Sequence, residues 1–209
     1  MKIKLAAFLA LAVVSLAATA SRAESLVNGS AEAGKAKSLT CAACHGAEGN
    51  SANPLWPNIA GQNAPYLHTQ LMAFKSGQRQ NALMSSQAMM LSDQDMADLA
   101  VHYERLPIAA QSVADADLIA RGEALYRGGD KAKGTPACLA CHGPTGRGNP
   151  AAKYPALKGQ HATYTALQLR AYADGSRVSV GKVKMMGAIA ARLSQEDIEA
   201  VASYIQGLK

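Results

Sequence analysis

The sequence predicts an all-α protein built from two similar halves, and three observations predict it. Apolar residues recur at i, i+3, i+4 and i+7 behind capping signals. No segment reads convincingly as a strand. The second half of the chain repeats the first: Cys41 is answered by Cys138, and Pro57, Gly61-Gln62, Tyr66, Gln70-Leu71 and Arg79 are answered by Pro155, Gly159-Gln160, Tyr164, Gln168-Leu169 and Arg177. The spacing widens by four residues before Leu91-Ser92 and Asp95 meet their counterparts Leu193-Ser194 and Asp197, so a four-residue insertion lies between Arg177 and Leu193.

Taken in order, the chain opens on a basic start, Lys2 and Lys4, then an apolar run from Leu5 to Ala20 and small residues. That is the pattern of a secretory signal peptide, residues 1–23, with cleavage after Ala23. The run is shorter than the roughly 20 residues of a spanning helix, and no later stretch could span a membrane. A helix near Ala31 to Leu39 leads into a pair of cysteines. Glycine and proline then imply an irregular loop as far as Gly61-Gln62. A second helix follows, about Pro65 to Phe74. A last one begins at Ser92, with Asp95 in a capping-box arrangement, and carries Met96, Leu99, Ala100 and Tyr103 on one face. The second half follows the same plan: a helix from Leu118 to Tyr126, a second from Thr163 to Tyr172, and a last one capped by Ser194 and Asp197 with Ile198, Val201, Ala202 and Ile205 on its face. Between the halves, the stretch around Pro107 to Asp115 has little helical pattern. The domains are therefore 24–110 and 118–209, joined by a linker at 111–117. Halves of about 90 residues bury limited apolar surface and usually need a staple or a bound group.

The formal charge is +6. Without residues 1–23 it falls to +3, divided as −2 for residues 24–113 and +5 for residues 114–209. So modest an excess is poor evidence for nucleic acid, and none is expected as a partner. The division suits steering toward charged partners.

Four cysteines in an exported protein would ordinarily pair as two disulfides. Here they fall as Cys41-Ala42-Ala43-Cys44 and Cys138-Leu139-Ala140-Cys141, each followed at once by a histidine, His45 or His142. C-x-x-C-H is the attachment signature of c-type haem. Thiols separated by two residues on a helical turn reach the two vinyl groups of the porphyrin, and the next residue lies under the iron. Two covalent haem c groups are therefore expected, with His45 and His142 as proximal ligands. A zinc site from the paired cysteines would leave both histidines unexplained.

The sixth ligand separates electron transfer from catalysis, because an iron with both axial positions filled has no open site for substrate. Met84 lies seven residues before Leu91 and Met186 seven before Leu193. No other methionine pair keeps that register, so these two are the expected ligands. Met89, Met90 and Met185 have no repeated counterpart and read as gap-filling apolar contacts with porphyrin or core. His68, His102 and His161 are likewise unrepeated and read as surface or structural residues. Histidine–methionine ligation raises the reduction potential. Pro57 and Pro155, soon after the histidines, are candidates to accept the Nδ1 proton through a backbone carbonyl. Arg79 and Arg177 are candidates to pair with propionates, with plain exposure as the alternative; Tyr66 and Tyr164 could bond propionates or pack between domains.

With Cys41-Ala42-Ala43-Cys44-His45-Gly46, Pro57-Asn58-Ile59-Ala60-Gly61-Gln62, Met84 and Leu91-Ser92-Asp93-Gln94-Asp95 in one half, the chain resembles the class I cytochromes c. The other half adds Arg121-Gly122-Glu123, Cys138-Leu139-Ala140-Cys141-His142, Gly159-Gln160-His161, Met186 and Ser203-Tyr204-Ile205-Gln206-Gly207-Leu208. As a tandem, over nearly all of the mature chain, it is similar to the cytochrome c4 family of periplasmic di-haem proteins. The resemblance implies two cytochrome c folds related by an approximate two-fold axis, with haems near the domain interface and propionates facing each other. It also implies an electron carrier, not an enzyme, commonly placed between a membrane quinol-oxidising complex and a terminal oxidase. A monomer is the default, with peripheral association at the membrane left open. One departure is the short stretch between Phe74 and Met84, which bears on partner choice. The rival reading is a di-haem peroxidase with an openable haem site; such enzymes are typically longer, and equivalent methionines in both halves argue for closed sites. A third is a docking module in which the second domain holds the protein to a membrane oxidase.

Overall fold

The computed structural model describes residues 25–179 and 184–208. The signal-peptide reading of residues 1–23 lies outside them, as do residues 180–183 in the region of the insertion. Among the described residues each half contributes five helices. The first has α1 (Ala31–Lys37), α2 (Leu39–His45), α3 (Ala64–Lys75), α4 (Ala82–Met89) and α5 (Asp93–Glu104); the second has α6 (Ile119–Gly128), α7 (Leu139–His142), α8 (Ala162–Ala173), α9 (Met185–Ala190) and α10 (Gln195–Gln206). Among the described residues the only β pairing is two isolated bridges, Asp130 with Thr135 and Asn149 with Tyr154.

The last helix organises each half. α5 packs against α1 and α3, and α3 against α4; α10 packs against α6 and α8, and α8 against α9. Both last helices start on a full capping box: Ser92 accepts from Asp95 N at 3.1 Å while Asp95 accepts from Ser92 N at 2.9 Å, and Ser194 with Asp197 does the same at 3.1 and 3.1 Å. The first helix crosses the last at a glycine. A side chain at Gly34 would overlap the carbonyl of Asp98, and one at Gly122 the carbonyl of Ala200. The start of the middle helix is closed from a distance: Ala64 N donates to Glu104 Oε1 and Ala162 N to Gln206 Oε1, each at 2.8 Å. The C-terminal end of one helix thus satisfies a free N–H of another.

The buried clusters are small. Leu125, Tyr126, Val201, Ile205 and Leu208 form one, Ala64, Ala100 and Val101 a second, and Ala166, Ile198 and Ala202 a third. Cores so thin and rich in alanine match domains that close around a bound group.

The segment from 105 to 118 is irregular, yet it is tied to both halves. Asn50 Nδ2 donates to Pro107 O at 3.1 Å, Gln111 Nε2 to Gly159 O at 2.7 Å and Gln206 Nε2 to Ser112 O at 2.9 Å. The Ile108 side chain lies against Gly61 and Gly159, equivalent residues with φ of 63° and 67°. A side chain at either glycine would be strained in that left-handed conformation and would collide with Ile108. The sequence shows this segment only as a linker; the fold uses it as a wedge between the repeats.

Candidate haem sites

The two attachment sequences lie on short helices. Cys41, Cys44 and His45 are on α2; Cys138 caps α7, which carries Cys141 and His142. All four cysteines are free, partly buried thiols. Burial pushes the Cys138 thiol up to about 11. Both histidines are buried, and burial lowers their pKa while a backbone bond partly offsets it. His45 Nδ1 donates to Pro57 O at 2.9 Å and His142 Nδ1 to Pro155 O at 3.0 Å. Because a carbonyl only accepts, Nδ1 carries the proton and Nε2 keeps its lone pair, the tautomer that a metal-binding imidazole needs.

The loops that hold these prolines are alike in both halves. Gly49 O accepts from Ile59 N and Ala60 N at 2.8 and 2.9 Å; Gly146 O accepts from Leu157 N and Lys158 N at 2.7 and 3.0 Å. Ser51 Oγ donates to Cys44 O at 2.8 Å and ties the first loop back to its attachment helix.

Met84 and Met186 lie half-buried on α4 and α9. Both helices are shorter than three turns, and sequence periodicity does not reveal them. The first is capped by Asn81 Oδ1, which accepts from Met84 N at 3.0 Å. Met89 and Met90 do not fill core space: they are 65% and 71% exposed at the end of α4. His161 is half-buried, its Nε2 2.9 Å from Ser51 O across the domain boundary, and His102 packs at an angle on Tyr103. His68 is half-buried on α3.

Arg79, Arg177, Tyr66 and Tyr164 come together between the domains. Arg79 Nη2 donates to Tyr164 Oη at 2.9 Å and to Gln168 Oε1 at 3.1 Å; Arg177 Nη2 donates to Tyr66 Oη at 2.8 Å and to Gln70 Oε1 at 3.1 Å. Each guanidinium also bonds the glutamine of its own domain and stacks on an aromatic ring, Phe74 at 4.5 Å or Tyr172 at 4.6 Å. The Tyr164 phenol, although burial alone pushes its pKa up, is pulled below its ordinary value by the two guanidinium charges. Among the described residues neither arginine has a carboxylate partner. Arg177 is 7% exposed and, among the described residues, its Nε has no acceptor. A buried and a half-buried cation with only neutral partners call for an anion.

Two glutamines complete the interface. Gln160 Oε1 accepts from Asn58 N at 2.9 Å and its Nε2 donates to Asn58 O at 2.8 Å; Gln62 does the same to Ala156 N and O, at 2.7 and 2.8 Å. The residue pattern alone gave no signal of this reciprocity, because the two repeats align in sequence without saying which faces meet.

These residues fit two covalent haems. They supply four free thiols, two imidazoles with Nε2 available, thin cores, and an uncompensated pair of arginines suited to carboxylates such as propionates. The comparisons agree. The cytochrome c family matches residues 31–103 and 119–209. A cytochrome c4 of Pseudomonas aeruginosa is 48% identical over 86% of this chain and 89% of its own. The crystal structure of reduced recombinant cytochrome c4 from Pseudomonas stutzeri superposes with a TM-score of 0.84 at 43% identity, covering 87% of this chain and all of that one. A protein of Thiomonas intermedia named as a thiosulfate dehydrogenase electron acceptor is 38% identical over 81% of this chain and 78% of its own. With two repeats, two attachment sequences and relatives of this kind along most of its length, the chain belongs to the cytochrome c family and within it to the cytochromes c4, electron carriers with two covalent c-type haems.

Proposed function

We propose that the protein works in the periplasm as a one-electron carrier, not an enzyme, taking electrons from a quinol-oxidising complex and delivering them to a terminal oxidase. In this reading Cys41, Cys44, Cys138 and Cys141 would anchor the haems, and His45 with Met84 and His142 with Met186 would hold the irons. When bound, each haem iron supplies a reversible one-electron couple, raised by the methionine ligand. The residues do the rest. The histidines are held neutral by burial and oriented by Pro57 and Pro155, while the Met84 and Met186 thioethers would supply the second ligand to each iron and keep substrate out. Arg79 and Arg177 supply positive charge where propionates would face the interface.

The observation that carries this reading is the matched hydrogen bond of the two histidines, at 2.9 and 3.0 Å, which leaves one Nε2 free in each domain. Among the described residues no helix is long and apolar enough to cross a membrane, which accords with a carrier that docks and leaves. The relative named for thiosulfate dehydrogenase supports a second reading of the donor, a sulfur-oxidising dehydrogenase in place of the quinol-oxidising complex. The test is haem stoichiometry with a visible and near-infrared spectrum of the oxidised protein. Two haems per chain, each with the weak long-wavelength band of methionine-bound ferric iron, are expected. A halved or missing band means an open iron and moves a peroxidase ahead.

A further inference from the structure

The carbonyl that takes the proton of each proximal histidine belongs to a peptide group whose N–H leaves the domain. The carbonyl of Pro57 accepts from His45, and the N–H of the same peptide, on Asn58, donates to Gln160 Oε1 of the second domain at 2.9 Å. The carbonyl of Pro155 accepts from His142, and the N–H of that peptide, on Ala156, donates to Gln62 Oε1 of the first domain at 2.7 Å. We propose that Gln62 and Gln160 are positioning residues that tune the haem of the opposite domain, each through one peptide group. The proposal rests on His45 and His142 as iron ligands.

Hydrogen bonds on the two ends of one amide polarise each other. An oxygen that pulls on the N–H makes the carbonyl a better acceptor and tightens its hold on the Nδ1 proton. The imidazole becomes a stronger electron donor, which favours ferric iron. The glutamines are built for this task. Both are buried, at 7% and 9% exposure. Each Oε1 also accepts from the next backbone N–H of its own chain, Asn63 N at 2.9 Å or His161 N at 3.1 Å. Each Nε2 is committed to the partner carbonyl, so the orientation of the side-chain amide is set by its bonds. The Ile108 wedge against Gly61 and Gly159 holds the residues just before them. A glutamine serving only to join the domains has no need to choose this peptide out of the whole loop.

The test is a domain-resolved redox titration of the full two-haem protein, with the haem methyl signals in the proton NMR spectrum assigned to each domain. Gln160→Leu is expected to favour the ferrous state of the N-terminal haem about threefold, about 28 mV at 59 mV per tenfold for one electron, with a much smaller change in the C-terminal haem. Gln62→Leu gives the mirror result. Asn63→Ala removes two different cross-domain bonds, from its Nδ2 to Tyr154 O at 2.8 Å and to Arg147 O at 3.2 Å, and leaves both potentials in place. If the leucine variants do not fold, Gln160→Asn and Gln62→Asn keep a polar amide while drawing the oxygen out of reach, with the same crossed result. Equal shifts in both haems, shifts in the glutamine's own domain, or none overturn the relay. A wild-type spectrum without histidine–methionine ligation overturns the ligand assignment as well, so the two failures are distinguishable.

Discussion

Tyr103 and Tyr126 stand over equivalent glycines, Gly49 and Gly146, yet reach them from different helices: Tyr103 from α5, the last helix of its domain, and Tyr126 from α6, the first helix of the other. The repeat therefore conserves a filled volume beside each attachment helix and not the position that fills it. The two rings also differ in how their hydroxyls end. Tyr126 Oη donates to Gly143 O, next to His142, at 2.7 Å, whereas among the described residues Tyr103 Oη is buried without a hydrogen-bond partner.

That difference predicts opposite outcomes from one substitution. Tyr126→Phe loses the bond to the Gly143 carbonyl, which keeps only the longer one from Gly146 N at 3.2 Å, so it costs about 1 kcal/mol of stability. Tyr103→Phe removes a hydroxyl whose burial is uncompensated and is neutral or slightly stabilising. Denaturant unfolding of the two-haem protein measures both. An equal loss from the two variants means that the Tyr103 hydroxyl has a partner in the haem-loaded protein.

Two glycines of α6 should respond to alanine in opposite directions. At Gly122 the added methyl meets the Ala200 carbonyl and the Tyr204 Cβ. The gain in helix propensity, about 1 kcal/mol, is smaller than the cost of forcing two backbones apart, which runs to about 3 kcal/mol. Gly122→Ala therefore lowers stability by about 2 kcal/mol. Gly128, at the end of the same helix, faces open space, and Gly128→Ala raises stability by about 0.5 kcal/mol. Thermal unfolding of both variants checks the sign.

The repeat makes much of the molecule legible from residues alone. It aligns Met84 with Met186, marks both attachment sequences, and places the capping boxes of Ser92 and Ser194, because these features depend on spacing within one half. What it hides is whatever passes between halves. Arg79 and Tyr164 look like two members of two aligned lists; only the fold makes them partners at 2.9 Å. Ile108 is one of several apolar residues in an irregular stretch until Gly61 and Gly159 are brought together against it. The helices α4 and α9 escape detection because eight and six residues give too few turns for a period to show.

Asp197 should make the second domain the more acid-sensitive through its capping site. Burial alone would raise its pKa, but bonds from Lys133, Arg121 and Ser194 outweigh that and hold the carboxyl well below the usual carboxylate range. Its partners are close, Lys133 Nζ at 2.6 Å and Arg121 Nη2 at 2.6 Å, and only 3% of its side chain is exposed. A depressed pKa stabilises the fold above the unfolded value, about 3.9, and that stability is lost as pH falls through the folded value. The second domain therefore weakens from about pH 4 downward. Asp197→Asn costs about 2 kcal/mol at neutral pH, less than the usual loss for a buried pair because both cations are about 40% exposed and stay hydrated. Asp95, its counterpart, is also lowered, to about 2, chiefly by its bond to Lys37, but its side chain is 22% exposed, far more open than that of Asp197. Asp95→Asn has the smaller effect, read by acid titration of the unfolding midpoint.

Arg177 and Arg79 differ in burial, and that sets the size of their electrostatic effect. A cation with no carboxylate partner would favour the reduced state of haems bound on either side of it, because each haem loses a positive charge on reduction. Its removal therefore lowers both midpoint potentials, since the cluster lies between the domains. For the buried Arg177, Arg177→Gln is expected to shift the equilibrium toward ferric iron by several-fold to about tenfold, 59 mV at the upper end. Arg79→Gln, at a half-buried site, gives a smaller shift, because water screens the charge more. Redox titration at two ionic strengths checks both. The pattern also separates this effect from the glutamine relay: a lost charge between the domains moves both haems, whereas a lost acceptor on one peptide moves one. Unchanged potentials in a folded Arg177→Gln protein would mean that the arginines only clamp Tyr66 and Tyr164 together and take no part in setting the couples.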